Sequence, residues 1–230
     1  MHLFCGQANL PVALGVTVAM ALSGATVGVG CRQELPEPSS AVRVARSCGA
    51  PSAADYYFPR NIFAHPVDPS ESATGPSRVF ADMHEPSLSC SDNVSEAYRA
   101  LWIHSFSTLQ PAMVRLFRAG RSWSVVGARV KWPADDLKSP MTETDHREAV
   151  LSGEQGDEVV AILTGAGFWA IPTSVSSRDI HDGGLWLVEG RRGGAYHVVT
   201  RFGGKDQGFV TDVFRRLLNL AGIPIPKEWS

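Results

Sequence analysis

The chain has 230 residues, 44% of them hydrophobic and 19% charged, with a formal net charge of −2. That length supports one folded domain of ordinary size, and the hydrophobic share excludes wholesale disorder. A pI near 6.4 and basic residues that cluster only in pairs, Arg191-Arg192 and Arg215-Arg216, argue against nucleic acid as a partner.

Residues 1–30 contain no Asp, Glu, Lys or Arg, and from Leu10 to Gly30 small and apolar residues lead to Cys31. Charge begins at Arg32, so this run belongs to targeting rather than to the fold. Roughly 21 residues also suffice to span a bilayer as a retained helix. The ending Val29-Gly30-Cys31 resembles the lipobox of bacterial lipoproteins, in which small residues precede a cysteine that is diacylated and becomes the new N-terminus. Gly28 stands where that motif usually has leucine, and the n-region offers only His2 where Lys or Arg is expected. Lipidation at Cys31, cleaved secretion without lipid and a retained anchor are the three readings. The first is the expectation: a signal peptide over 1–30, a lipid-anchored flexible tether over 31–54 and one domain over 55–230.

Processing there would remove Cys5 and lipid would consume Cys31. Cys48 and Cys90 then remain in an oxidising compartment, where a disulfide between them is expected. It would close a loop of about 42 residues, worth on the order of 4 kcal/mol in the chain-entropy account. No Cys/His spacing suggests zinc, so neither a metal nor another cofactor is expected.

From Arg32 to about Ala54 the chain is rich in Pro, Ser, Ala and Arg without a period, as a tether should be. Tyr56-Tyr57-Phe58-Pro59-Arg60-Asn61-Ile62-Phe63 follows, then a Pro, Asp and Ser loop through Ser77, then Met83 to Leu88. Aromatics this dense lie across a sheet or plug its end; an aromatic-lined ligand groove is the alternative. After Cys90, Tyr98, Ala100, Trp102, His104 and Phe106 alternate with Arg99, Leu101, Ile103 and Ser105, which predicts a strand buried on at least one face; a short helix over Glu96 to Leu101 is the alternative. Met113 to Ala119 and Trp123 to Val130, joined by Gly120-Arg121-Ser122, predict a hairpin. Met141 to Leu151 completes a four-strand meander.

Ser152 and Gln155 have the spacing of a capping box. Behind them Val159, Ile162, Leu163 and Ala166 recur at helical spacing up to Gly167. Phe168, Trp169 and Ile171 fall past the helix end, placed to wedge under the sheet. Val210, Val213, Phe214, Leu217, Leu220 and Ala221 form the stripe of a last helix that stops at Gly222. Gly165-Ala166-Gly167-Phe168-Trp169-Ala170 matches the dinucleotide fingerprint in letters, but it ends a helix instead of opening one. The whole predicts an α+β domain: an antiparallel sheet of about six strands, a meander plus a hairpin, with two helices packed on one face.

The stretch His181 to Phe202 reads as that hairpin and carries the richest chemistry. Candidate catalytic groups are Glu189, His197 and Arg201; candidate ligand-binding residues are Trp186, Tyr196, Trp102 and Glu85. The dyads His84-Glu85, Asp145-His146 and His181-Asp182 are adjacent residues, which point to opposite faces of a strand. Hairpin parity decides the rest. With an even turn Glu189 faces Tyr196 and lies beside Leu185 and Leu187, while His197 and Arg201 share the other face with Trp186 and Val188. With an odd turn Glu189, His197 and Arg201 share one face as an acid, imidazole and guanidinium stripe. Gly193-Gly194 permits either.

Tyr57-Phe58-Pro59-Arg60-Asn61, Glu85-Pro86-Ser87-Leu88, Tyr98-Arg99-Ala100-Leu101-Trp102 and Asp182-Gly183 followed by Trp186, Glu189, Gly193, Tyr196-His197 and Arg201 are together similar to a family of uncharacterised exported bacterial proteins, many of them lipoproteins. The signature is D-G-x-x-W-x-x-E followed by Y-H-x-x-x-R; where the family has an aromatic and a Ser-Pro pair after the arginine, this chain has Phe202-Gly203-Gly204. The resemblance covers most of the chain from Tyr56 and implies location and fold, but no activity. The expectation is an exported, envelope-tethered lipoprotein on the periplasmic or outer face, acting as a non-catalytic binding or structural module. Its expected partners are the membrane, through the N-terminal lipid, and a protein or small molecule. An envelope hydrolase using Glu189 and His197 is the alternative.

Overall fold

A computed structural model describes residues 42–43, 52–60, 62–63, 69–91, 94–104, 109–134, 139–174, 183–203 and 208–225, all within one compact unit. The alternating stretch after Cys90 forms β2 (Glu96–His104), and the meander continues through β3 (Ala112–Ala119), β4 (Ser122–Lys131) and β5 (Thr142–Leu151). The hairpin strands are β6 (Gly184–Arg192) and β7 (Ala195–Gly203), and a short β1 (Val42–Arg43) pairs with β7. Among the described residues the sheet order is β1-β7-β6-β2-β3-β4-β5, with every neighbouring pair antiparallel. The last hairpin thus returns to the free side of β2, and β2 becomes a central strand buried along nearly its whole length. Within the stretch expected to be a tether, Val42 pairs with Tyr196 and Arg43 with Ala195.

Four helices accompany the sheet among the described residues: α1 (Ala53–Tyr57), α2 (Pro69–Asp82), α3 (Gly153–Gly165) and α4 (Phe209–Ala221). Helices α3 and α4 lie where the sequence puts them. Ser152 and Gln155 form the reciprocal capping box, each satisfying the other's backbone N–H. The segment Phe168–Ala170 makes one 3-10 turn that buries Phe168 and Trp169. These elements cover Tyr98, Ala100, Trp102, Trp123, Trp186 and Val188 on one face of the sheet. Helix α3 approaches so closely that a Cβ on Gly156 would lie 2.1 Å from the Trp123 indole, which is why glycine stands there.

Helix α1 straddles the end of the expected tether and the start of the aromatic run, α2 covers much of the expected loop and runs past it, and both pack on the opposite face, which the expected fold left open. Pro76 lies inside α2, where it cannot donate a backbone hydrogen bond, and Gly75 before it has no Cβ to clash with the proline ring. Burial of Val79, Phe80 and Met83 against Leu101, Met113, Leu187 and Val198 outweighs these local penalties. Because β2 is covered on both sides, its odd and even residues face two separate cores.

Candidate functional site

The turn between β6 and β7 holds two residues, Gly193 and Gly194, both at positive φ (55° and 83°). This is the primed geometry that matches the twist of a hairpin, and both positions favour glycine. The turn is therefore even, and Glu189 pairs with Val198 while His197 pairs with Gly190. Glu189 consequently faces α1 and α2, whereas His197 faces α3 and α4.

On the α1/α2 face the register creates an electrostatic problem and solves it. Glu189 stands opposite Arg99, and Arg99 stands opposite Arg115. Two arginines directly opposed on one face repel. Glu85 supplies the missing charge: its Oε2 accepts from Arg99 Nη1 at 3.2 Å and from Arg115 Nε at 2.7 Å. It is delivered there by the end of α2, where His84 N–H donates to Ala81 and Glu85 N–H to Phe80, the paired bonds of a Schellman motif. The motif places His84 in the left-handed region, φ 54°.

Further contacts surround the cluster, although Arg99 Nη2 makes an ion-pair approach to Glu189 without hydrogen-bond geometry. Arg99 Nε and Nη2 approach Glu189 Oε1 at 2.7 and 2.5 Å, and Arg99 Nη1 donates to Pro86 O at 2.7 Å. Tyr196 donates its hydroxyl to Glu189 Oε2 at 2.6 Å, and Tyr57 donates to Glu85 O at 2.8 Å. The Arg99 guanidinium carbon lies 3.6 Å from the centre of the Phe80 ring. Ser87 and Ser89 tie the same loop to α1 by donating to Tyr56 O and Tyr57 O. Both side chains of the Arg99–Glu189 pair are 0% exposed. Burial alone would lower Arg99, but Glu189 and then Glu85 more than offset it, and its pKa lies above the usual arginine value. Burial raises the Glu189 carboxyl, with Arg99 and Tyr196 opposing, and pushes the Tyr57 hydroxyl up to about 12 against the pull of Arg99. Two guanidiniums and two carboxylates balance, so the cluster joins the α1/α2 layer to three strands.

On the other face His197 Nε2 lies 2.9 Å from Ile171 O, and its ring meets Phe168 edge-on at 5.1 Å. Burial lowers its pKa, with the Ile171 hydrogen bond opposing, so a neutral imidazole donates Nε2–H to that carbonyl. Arg201 Nη1 donates to Thr200 O at 2.6 Å and Pro172 O at 3.4 Å, and burial lowers its pKa. Trp186 and Trp102 are neighbours in the core, 5.9 Å between ring centres, with Phe214 edge-on to Trp186 at 5.7 Å. Tyr98 donates to Glu96 at 2.8 Å, and Arg118 lies 3.5 Å from the same carboxylate.

A depressed folded-state pKa for His197 gives a definite sign. Its contribution is fully present above the unfolded imidazole value of 6.5 and is lost as pH falls through the lower folded value. Relative to His197→Gln, which keeps an N–H for Ile171 O, the wild-type chain is expected to lose stability between about pH 7.5 and about pH 5.5. Equilibrium urea unfolding of both proteins at the two pH values checks this; an unchanged stability difference would contradict it.

Of the residues singled out in the sequence, Glu85, Glu189 and Tyr196 thus converge on Arg99, while His197, Arg201, Trp186 and Trp102 lie on the far face. The Glu189–His197 pair is not assembled. The sequence reading passed over Arg99 and Arg115 as site residues. The signal for Arg99 was present: a cation inside the otherwise apolar run Tyr98-Arg99-Ala100-Leu101-Trp102 requires a buried carboxylate partner. Cys5, Cys31, Cys48, His181 and Asp182 lie outside the described residues, so lipidation and the Cys48–Cys90 disulfide do as well; Cys90 Sγ lies 3.5 Å from Tyr56 O. Among the described residues no three or more His, Cys, Asp and Glu side chains are grouped to hold a metal ion, and no helix is long and apolar enough to cross a membrane. Comparison with protein-family models and with curated proteins gives no match.

Proposed function

We propose that this chain is an exported, envelope-tethered lipoprotein whose domain is a non-catalytic binding or structural module. The observation that carries the module reading is the engagement of Glu189: its carboxylate is held by Arg99 and Tyr196 on the face opposite His197. A general acid or base must reach a substrate proton, and a carboxylate enclosed between a guanidinium and a phenol within a packed core does not. Support for the tether is the uncharged apolar stretch that ends at Cys31. The anchor would hold the domain at the periplasmic or outer face of the envelope, where a protein or small molecule is its partner.

Metabolic labelling with palmitate tests the anchor. Label is expected on the full chain and absent from Cys31→Ala; label that survives this change would overturn it. For the module, a marked loss of stability in Glu189→Gln by itself is the expected result, and a Glu189→Gln/His197→Gln protein as stable as the unsubstituted chain would reopen the case for a reactive site.

A further inference from the structure

We infer that β5 is a self-pairing edge, through which two copies of this chain join their sheets about a two-fold axis at His146. The two edges of the sheet differ. At β7, Tyr196 and Ala195 are paired by β1; at the other edge β5 pairs, among the described residues, with β4 alone. β5 is ten residues long, longer than the usual strand, and from Thr142 to Val150 every side chain is exposed or half-exposed on both faces. Val150, at 76%, is the most exposed large apolar residue among those described. A long uncovered edge presents a row of backbone donors and acceptors to another strand.

The charges on β5 select the partner and the register. A two-fold axis perpendicular to the sheet preserves its faces, so each residue meets one of the same face in the second copy. Centred on His146, this pairing sets Asp145 opposite Arg147 twice. The two already pair within their own strand, Arg147 Nε to Asp145 Oδ1 at 2.9 Å, so four charges alternate in sign across the junction. Moving the axis one residue in either direction would set Asp145 against Asp145 or Arg147 against Arg147, and moving it two residues toward Val150 would oppose Glu148 to itself. The ladder with β4 shifts between Arg129 and Val130, leaving Thr144 as an extra residue; this bulge bends the strand end and confines the straight junction to the middle of β5.

The test is a disulfide trap in the expressed full chain. With His146→Cys, mild oxidation is expected to give a cross-linked dimer whose bridge joins position 146 of one copy to position 146 of the other. Glu143→Cys is expected to give none, since its two copies would lie about 20 Å apart along the strands. On the His146→Cys background, Arg147→Asp should lower the cross-linked yield about tenfold, and adding Asp145→Arg should restore it. Equal trapping at both positions, indifference to Arg147→Asp, or a bridge from the introduced thiol to a different protein would overturn the inference. The unsubstituted chain supplies an independent reading: sedimentation is expected to show a dimer that dissociates as salt is raised, and a monomer at all concentrations would contradict it.

Discussion

Arg99→Leu is expected to lower stability by about 3–5 kcal/mol, the range for breaking a buried ion pair from one side. The change leaves Glu189 enclosed with only Tyr196 as donor, while Glu85 keeps Arg115. Glu189→Leu should cost a similar amount because it leaves Arg99 short of one carboxylate. The double variant Arg99→Leu/Glu189→Leu is expected to lose much less than the sum, since no buried charge is then stranded. Urea unfolding of the four proteins at one pH gives the coupling directly. Additive losses, or a single loss below about 1 kcal/mol, would mean that the pair does not hold the α1/α2 layer to the sheet. Should Arg99→Leu fail to fold, Tyr196→Phe gives a milder reading: removing one hydrogen bond to a charged group is expected to cost about 1.5–3 kcal/mol.

The second large effect lies on the opposite face. Trp186→Ala is expected to lose about 3–5 kcal/mol, the cost of emptying a well-packed aromatic position. Trp186 is 1% exposed and held between Trp102 and Phe214, so its indole has no surface to offer a ligand in this packing. Thermal and urea unfolding check the value. A loss within about 0.5 kcal/mol, as for an ordinary surface change, would reinstate Trp186 as a binding residue.

Both effects concern residues visible in the sequence, yet their roles were legible to different degrees. Trp186 alternates with Val188 in a strand pattern, and its burial follows from that periodicity once a helix covers the face. Glu189 does not yield so easily. Its partner Arg99 lies 90 residues away, and the face it occupies depends on a turn that Gly193 and Gly194 allow to close with either parity. The Ser152 capping box, the stop at Gly222 and the stripe of α4 rest on contacts within a few residues, and all three form as the sequence predicts. Helix α2 fails the same reading because Gly75-Pro76 breaks the local pattern, and only burial of Val79 and Phe80 against the sheet sustains it.

By itself, then, the sequence determined the elements whose stability is local: the meander, the hairpin strands, α3 with its cap, α4 with its stripe, and hence the α+β class. The tertiary structure decided which faces those elements present to one another. It turned Glu189 away from His197, brought Glu85 between two opposed arginines, and covered the second face of the sheet with α1 and α2. The physical reason is the two-residue period of a strand: one residue of register exchanges the two faces completely, and that register is set by turn geometry and by long-range charge pairing.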